Sequence, residues 1–443
     1  MNVSLWCPLA WTDTGMRHDV RLTLRGDVIA RIECGVEAAS ADERLDSTLV
    51  MPGTANCHSH TFHRTMRGLG GSGGAFWSWR DTMYGIASRL TPETYRVYAR
   101  AAFAEMLCAG YTAVGEFHYV HHQPDGTPYQ PAHAMERALA DAAEDVGIRL
   151  TLLDTLYLSS GFDAPVESAQ RRFSDGTAAR WAERIEALDS SLDGHSLVRV
   201  GAAIHSVRAV DPLSCAYVAE WARRRGRPLH VHVSEQPREN EDCLRHRGAT
   251  PVRVLADAGV WEANATAVHA THLTDEDVGL LGSAGATVCL CPSTEADLGD
   301  GLARVGDLLE AGTGLSLGSD ENILTDPFSE AQRVVAGEGL RTGVRQAIPV
   351  ARLMGALTER GHASIGSPAG ALAPGRPADL VALRLAGAHL AGVPLESIPL
   401  FLTAADIDRV WVAGREVVQD GRHVSVDPGR DLDEIGRELR RTR

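Results

Sequence analysis

Near position 58 the chain reads Asn56-Cys57-His58-Ser59-His60. Side chains two apart on an extended segment share a face, so His58 and His60 can converge on one ion. His-x-His also arises by chance, and alone it fits two packed or solvent-facing histidines as well as two ligands. A second pair stands in Pro228-Leu229-His230-Val231-His232-Val233-Ser234-Glu235. A ligand on a barrel strand must lie near its C-terminal rim, which assigns His232 to the ion and His230 to the core. Glu235 then enters the site from the following loop, although a single glutamate is more commonly a solvated acid. His269 closes the run Ala267-Val268-His269, and Asp320 closes Gly318-Ser319-Asp320. Each signal is weak alone. Four histidines and an aspartate at the ends of separate apolar runs coincide by accident far less often than any one of them.

Three imidazoles, from His58, His60 and His232, with the Asp320 carboxylate make a mononuclear zinc set that leaves room for a water. On the metal the pKa of such a water falls to about 7, so attack can run at neutral pH. Zinc, one ion per chain, is the expected cofactor, and imidazole plus carboxylate also suits Fe(II). Asp320 can both touch the ion and accept the water's proton, while His269 orients the water and stabilises developing charge. Glu235 is left to carry a proton to a leaving nitrogen, which must be protonated before it departs as ammonia.

These residues need a frame that brings strand ends together. Eight β-rich runs are predicted, at Leu49–Cys57, Ala113–Tyr119, Arg149–Tyr157, Val198–Val207, Pro228–Ser234, Ala265–His269, Ala286–Cys291 and Gly314–Ser319. Amphipathic segments such as Thr94–Ala109, Pro131–Val146, Cys215–Arg225 and Thr250–Ala258 lie between them. Alternation of this kind marks βα units and a parallel sheet, so the expected class is α/β, an eightfold TIM-like barrel with its chemistry at the C-terminal strand ends. Residues 1–50 read instead as short strands, with an alternating segment at Asp19–Leu24, a Gly26-Asp27 turn and Val28–Glu33. A similar texture returns at Ala378–Leu385, Arg409–Ala413 and Val417–Val418. The two ends can share one small β-sandwich or form independent caps, and periodicity alone does not choose. The expected division is 1–50 with 375–430 as the β-sandwich, 51–374 as the barrel and 431–443 as a tail.

Composition removes other classes. A chain of 443 residues with 44% hydrophobic and 23% charged residues can bury a large core. Its net charge of -15 argues against a nucleic-acid partner. There is no lysine, and all 43 basic residues are arginine. A Schiff-base enzyme, a Walker-type phosphate loop and a carbamylated-lysine two-metal site are thereby excluded. The eight cysteines contain no C-x-x-C pair and read as buried free thiols. No window approaches the roughly 18 apolar residues of a membrane span, so no membrane partner is expected and the location is expected to be cytoplasmic.

Taken together, His58, His60, His232, His269 and Asp320 resemble the signature of the amidohydrolase superfamily in its single-zinc deaminase branch. Longer stretches are similar to the formimidoylglutamate deiminase family: Phe76-Trp-Ser-Trp-Arg80, Val114-Gly-Glu-Phe-His-Tyr-Val-His-His122, Gln170-Arg-Arg-Phe173, His205-Ser-Val-Arg-Ala-Val210, Val233-Ser-Glu-Gln-Pro237 and Ser293-Thr-Glu-Ala-Asp-Leu-Gly-Asp-Gly301. That resemblance implies hydrolysis of N-formimino-L-glutamate to N-formyl-L-glutamate and ammonia, a step of histidine degradation. It implies a homodimer and one sandwich built from both termini. It also implies a small anionic amidine substrate whose carboxylates meet Arg208 in a bidentate clamp, with His205 and Tyr119 donating hydrogen bonds and Arg80 nearby. Without the resemblance, Arg208 would read as a structural ion pair.

Two positions depart from the family pattern. His63 stands where many members carry Gln, and it is kept as a candidate substrate contact. After Asp320 the family continues Ser-His, whereas this chain has Glu321-Asn322. An added carboxylate repels a dianionic substrate unless it points away or meets an arginine. Within catalysis the alternatives are another amidine, a guanidino acid or a nucleobase ring on the same zinc chemistry. A ring favours an aromatic, amide-lined pocket, whereas Arg208 and Arg80 favour carboxylates. A non-catalytic scaffold of the same fold is the alternative outside catalysis. Degeneration erases ligands first, and here all five metal and acid–base positions are intact.

Overall fold

The computed structural model describes residues 2–69 and 76–440; the last three residues of the expected tail lie outside them. Eight strands form one parallel sheet: Thr54–Ser59, Tyr111–His118, Arg149–Leu156, Val198–Ile204, Leu229–Val233, Ala265–His269, Thr287–Leu290 and Gly314–Leu317, each bonded to its neighbour in sequence. Nearly every residue on them is buried, because helices cover the outer face and side chains fill the interior. The covering helices include Pro92–Cys108, Ala134–Val146, Ala178–Ser191 and Pro212–Arg225. Three of these four start on a side-chain oxygen that accepts a backbone N–H, from Thr91, Thr177 and Asp211.

The sheet meets itself at the rim. Backbone N–H groups of Ser319 and Asp320 donate to the His58 carbonyl at 3.1 and 2.8 Å, and His60 N–H donates to the Asp320 carbonyl at 2.9 Å. Gly318 permits this approach, since a Cβ there would lie 2.7 Å from both the Cβ and the carbonyl oxygen of His58. The residues after Gly318 are thereby held against the His58–His60 segment by main chain, with Asn56 and Asn322 adding side-chain bonds across the same seam.

The first predicted strand, Leu49–Cys57, is two strands. Thr48–Pro52 belongs to a second sheet and Thr54–Ser59 to the barrel. The change of sheet falls at Gly53, where a Cβ would sit 2.1 Å from Thr112 Oγ1. An apolar run cannot show this, because both halves are buried.

The second sheet has nine strands and joins the two ends of the chain. Thr48–Pro52 runs parallel to Asn2–Thr12 on one side and antiparallel to Leu380–Arg384 on the other. One face encloses its own apolar cluster, with Leu5, Leu22, Leu24, Leu380 and Trp411; the other, with Leu49, Met51, Val381 and Val410, packs into the barrel's core. Arg149 on the third barrel strand clamps the buried Asp379 through two bonds of 2.6 and 2.9 Å, which fixes barrel and sheet together. From Pro428 to Arg440 the chain is a helix packed against Pro92–Cys108. Six of the eight cysteines are buried, while Cys34 is exposed and Cys108 intermediate. Among the described residues no helix is long and apolar enough to cross a membrane.

Candidate active site

His58 and His60 sit at the end of the first barrel strand, His232 on the fifth, and Asp320 just after the eighth. Their donor atoms converge. Nε2 of His232 lies 3.1 Å from Nε2 of His58, and Asp320 Oδ1 lies 3.5 Å from His58 Nε2 and 3.4 Å from His60 Nε2. Four ligands about 2.0–2.1 Å from a central ion stand about 3.3–3.4 Å apart on a tetrahedron, so the spacing suits zinc. The outer nitrogens agree. His60 Nδ1 faces the Phe117 carbonyl at 2.9 Å and His232 Nδ1 the His205 carbonyl at 2.9 Å. Each must be the N–H donor there, which turns both Nε2 lone pairs toward the centre. Burial holds His58 and His232 well below the ordinary histidine range and brings His60 down to about 3, so all three imidazoles are neutral, as ligands must be. His230, two residues before His232, is fully buried and bonds the Ser364 carbonyl.

His269 ends the sixth strand with Nε2 3.8 Å from Asp320 Oδ2 and 4.0 Å from Glu235 Oε1. Its Nδ1 meets Glu295 Oε1 at 3.3 Å. Burial pulls His269 down, but Glu235, Glu295 and Asp320 together hold it well above the ordinary range, so the ring carries a proton among three carboxylates. His269 and Asp320 both lie in the left-handed backbone region, at φ 69° and 46°. Non-glycine residues there cost about 1–3 kcal/mol each and persist where the surroundings over-determine them, as the rim bonds at Asp320 do.

A cavity of about 520 Å³ opens onto this group. His60, His63, Tyr119, His205, Arg208, His232, Glu235, His269, Asp320 and Arg80 all line it, so the structure brings every sequence-predicted site residue except the deeply buried His58 to one cavity wall. Arg208 approaches Glu239 at 3.5 Å and Glu235 at 3.7 Å, both beyond good hydrogen-bond distance, and its Nε has no hydrogen-bond partner. Arg208 also lines the cavity. His63 Nε2 and the Tyr119 hydroxyl are 2.8 Å apart, so His63 holds Tyr119 while lining the cavity. Arg80 lies over the Tyr84 ring.

The motifs around the site turn out to be its supports. In the Glu116–His122 stretch, Glu116 accepts the N–H and hydroxyl of Thr61, both at 2.6 Å, fixing the loop that follows His60. His118, His121 and Glu136 cluster closely enough to hold an ion. Arg184, however, already lies 3.2 Å from Glu136 and 2.7 Å from Asp154, supplying the cation there. Gln170 donates to the Tyr84 and Tyr157 hydroxyls at 2.8 and 2.9 Å, and Phe173 lines the cavity. Sequence reasoning missed Glu295 as the partner of His269, and also the tyrosines at 84 and 157. Glu295 was visible only inside a longer motif, because its role depends on which ring it meets in space.

Among the described residues no arginine pairs with Glu321. It is 2% exposed and belongs to the cavity wall, but both carboxyl oxygens are buried, with no hydrogen-bond partner among the described residues. Burial, and then Asp320, push it up to about 10. Asn322 does the structural work instead: its amide nitrogen reaches Ser59 Oγ and the Asp320 carbonyl, both at 3.1 Å, and its oxygen accepts from Ser319 Oγ at 2.6 Å.

Comparison with known proteins matches residues 49–417 to the amidohydrolase family. The chain is 38% identical over 428 residues to formimidoylglutamate deiminase of Pseudomonas aeruginosa, covering 92% of this chain and 93% of that one. A crystal structure of an amidohydrolase from Brucella melitensis superposes with a TM-score of 0.91 at 34% identity, covering 99% of each chain. An adenosine deaminase from Xanthomonas campestris with bound zinc shares the fold, with a TM-score of 0.85 at 20% identity over 99% of this chain and 97% of that one.

Proposed function

The chain belongs to the amidohydrolase family and is a hydrolase of C–N bonds, and on that premise we propose that it converts N-formimino-L-glutamate and water to N-formyl-L-glutamate and ammonia. One observation carries the substrate assignment: Arg208 opens into the same cavity as the converging His60, His232 and Asp320 donors. The 38% identity to a formimidoylglutamate deiminase supports it.

In this reading His58, His60, His232 and Asp320 would hold a zinc ion, whose Lewis acidity brings the ionisation of water near neutral pH. Asp320 takes the proton of the attacking water on its carboxylate. The protonated His269, steadied by Glu295, orients that water and balances negative charge as the amidine carbon becomes tetrahedral. Glu235 carries two protons to the terminal nitrogen, the one lost by the attacking water and then that of the hydroxyl on the tetrahedral carbon, so the C–N bond breaks and ammonia leaves with a formyl oxygen in its place. Arg208 and Arg80 hold the substrate carboxylates, with His205 and Tyr119 donating to them and His63 keeping Tyr119 in place. The eight barrel strands and the segments that follow them carry all of these groups. The family reading extends to a cytoplasmic homodimer. A nucleobase ring fits less well, since the described cavity wall has four arginines, at 80, 208, 238 and 245, and neither asparagine nor glutamine.

The test is ammonia release from N-formimino and guanidino amino acids by the metal-loaded protein, with metal content measured alongside. Release is expected to be fastest from N-formimino-L-glutamate. Arg208→Met is expected to raise KM about 100-fold, as loss of a charged hydrogen-bonding pair implies, with a smaller change in kcat. Release from another panel member alone would reject the substrate and keep the chemistry.

A further inference from the structure

Glu235, the group assigned to proton delivery, is held only loosely through its own carboxyl. Arg208 Nη2 lies 3.7 Å from one oxygen and His269 Nε2 4.0 Å from the other, both beyond hydrogen-bond length. Its place therefore depends on the backbone that carries it. Ser234, just before it, lies in the left-handed region at φ 53°. Gln236, just after it, stands at the N-terminus of the helix Pro237–Arg247, yet its side chain makes no capping bond there. The amide nitrogen of Gln236 donates instead to Asp300 Oδ1.

Asp300 comes from a third segment. It follows the short helix Pro292–Leu298, beyond the seventh barrel strand, and sits between two glycines of positive φ, Gly299 at 72° and Gly301 at 115°. Its N–H donates to the Glu295 carbonyl at 2.9 Å, and its own carbonyl accepts from His272 Nε2 at 2.7 Å. Glu295 is the partner of His269, and His272 lies three residues after His269 in the same loop. That loop is bonded in turn to the one bearing Glu235, since His272 N–H donates to the Ser234 carbonyl at 3.0 Å. Asp300 thus joins the two segments that carry Glu235 and His269. It is 2% exposed and is not part of the cavity wall. Burial, and then the charge of Glu235, hold its carboxyl above the ordinary carboxylate range. Asparagine is the matching neutral side chain, with the same shape and the same acceptor oxygen for Gln236.

We propose that Asp300 is a positioning residue for proton transfer, which through Gln236 fixes where the Glu235 carboxyl stands beside His269. The inference rests on the role given to Glu235 above and adds the residue that sets its place. A misplacement of about 1 Å in a reacting group costs on the order of 100-fold in rate. Arg208, which follows the fourth strand, is bonded to neither Gln236 nor Asp300, so the loss falls on turnover and spares the hold on the substrate carboxylates.

The experiment uses the full-length, metal-loaded protein and its Asp300→Leu, Asp300→Asn, Gln236→Leu and Asp300→Leu with Gln236→Leu variants, each checked for metal content and melting temperature. Ammonia release is followed with N-formimino-L-glutamate, or with the panel acid that the wild type hydrolyses in its place, and binding of N-formyl-L-glutamate is read by calorimetry. Asp300→Leu is expected to lower kcat about 10–100-fold, with KM and the calorimetric dissociation constant within threefold. Asp300→Asn is expected to recover most of that loss. Gln236→Leu removes the same contact from a half-buried side chain and is expected to reproduce the loss even if Asp300→Leu folds poorly. The double variant is expected to lose no more than the larger single, because both changes remove one contact. An unchanged kcat in Gln236→Leu, additive losses in the double variant, or a loss shared equally by N-formyl-L-glutamate binding would overturn the proposal. Glu235→Gln separates the two levels. If it keeps wild-type kcat, the role of Glu235 fails and this inference with it; if it abolishes turnover while Gln236→Leu does not slow it, the inference about Asp300 fails alone.

Discussion

Nε2 of His232 stands 3.1 Å from Nε2 of His58, although 174 residues separate them in the chain. His232 turns its lone pair inward because its other nitrogen is committed to the His205 carbonyl. Two facing imidazole lone pairs repel unless a cation or proton lies between them, so this pair defines the centre of the site. Replacing His232 with Gln is expected to lower bound zinc below 0.1 equivalent and to abolish ammonia release, with melting temperature read alongside. A variant that keeps a full equivalent of metal would show that the ion sits elsewhere.

Chelation offers the reversible counterpart. Treatment with a strong chelator is expected to remove activity, and added zinc to restore it; the amount restored is read against metal content. Activity that persists in metal-free protein would contradict the proposed chemistry.

Glu295 should act through His269. Its Oε1 faces His269 Nδ1 at 3.3 Å and also accepts the Cys291 N–H at 2.8 Å. Supporting partners of this kind are worth about 10–100-fold in activity. Glu295→Gln is expected to lower kcat within that range while KM for the substrate stays within twofold. An equal loss through KM alone would place Glu295 in substrate binding.

Gly318→Ala tests barrel closure. The added Cβ would meet the Cβ and carbonyl of His58 at 2.7 Å, where neither neighbour is the free end of a side chain. Overpacking of this kind costs about 1–3 kcal/mol, and the strain falls on the segment that presents His58. Lower stability in denaturant together with weaker metal retention is the expected pair of results. Wild-type stability would mean that the rim adapts without cost.

Acid should weaken the fold through His362. This ring is fully buried, with Nε2 at 3.0 Å from the Gly53 carbonyl and Nδ1 at 2.9 Å from Ser367 Oγ. Burial, opposed in part by Asp379, brings it down to about 4, against 6.5 when unfolded. Between those values the unfolded chain binds a proton that the folded chain refuses. The stabilisation is therefore complete above pH 6.5 and is lost as pH falls toward 4, by roughly 3 kcal/mol. Denaturation midpoints from pH 7 to 5 should fall more steeply for wild type than for His362→Gln. Equal slopes would remove His362 from the account.

The barrel was legible because its strands are short apolar runs spaced by amphipathic helices, and the ends of those runs marked His58, His60, His232, His269 and Asp320. The division at Gly53 was not, since two consecutive buried strands in different sheets look like one. Glu295 was not assignable either, because nothing local distinguishes a glutamate that bonds a histidine 26 residues earlier from one that caps a helix.

Residue types and spacing by themselves determined that imidazoles and carboxylates lie at strand ends, that lysine chemistry is absent, and that the fold alternates strand and helix. Those properties follow from backbone periodicity and side-chain chemistry, which are written locally. Only the tertiary structure decided that Glu321 is buried with no hydrogen-bond partner among the described residues, that Arg208 lies within ion-pair distance of Glu235 and Glu239, and that Arg184 neutralises Glu136 in the second histidine cluster. Each of these depends on which charges meet across the closed barrel, and distance in space is the one quantity that a linear pattern does not carry.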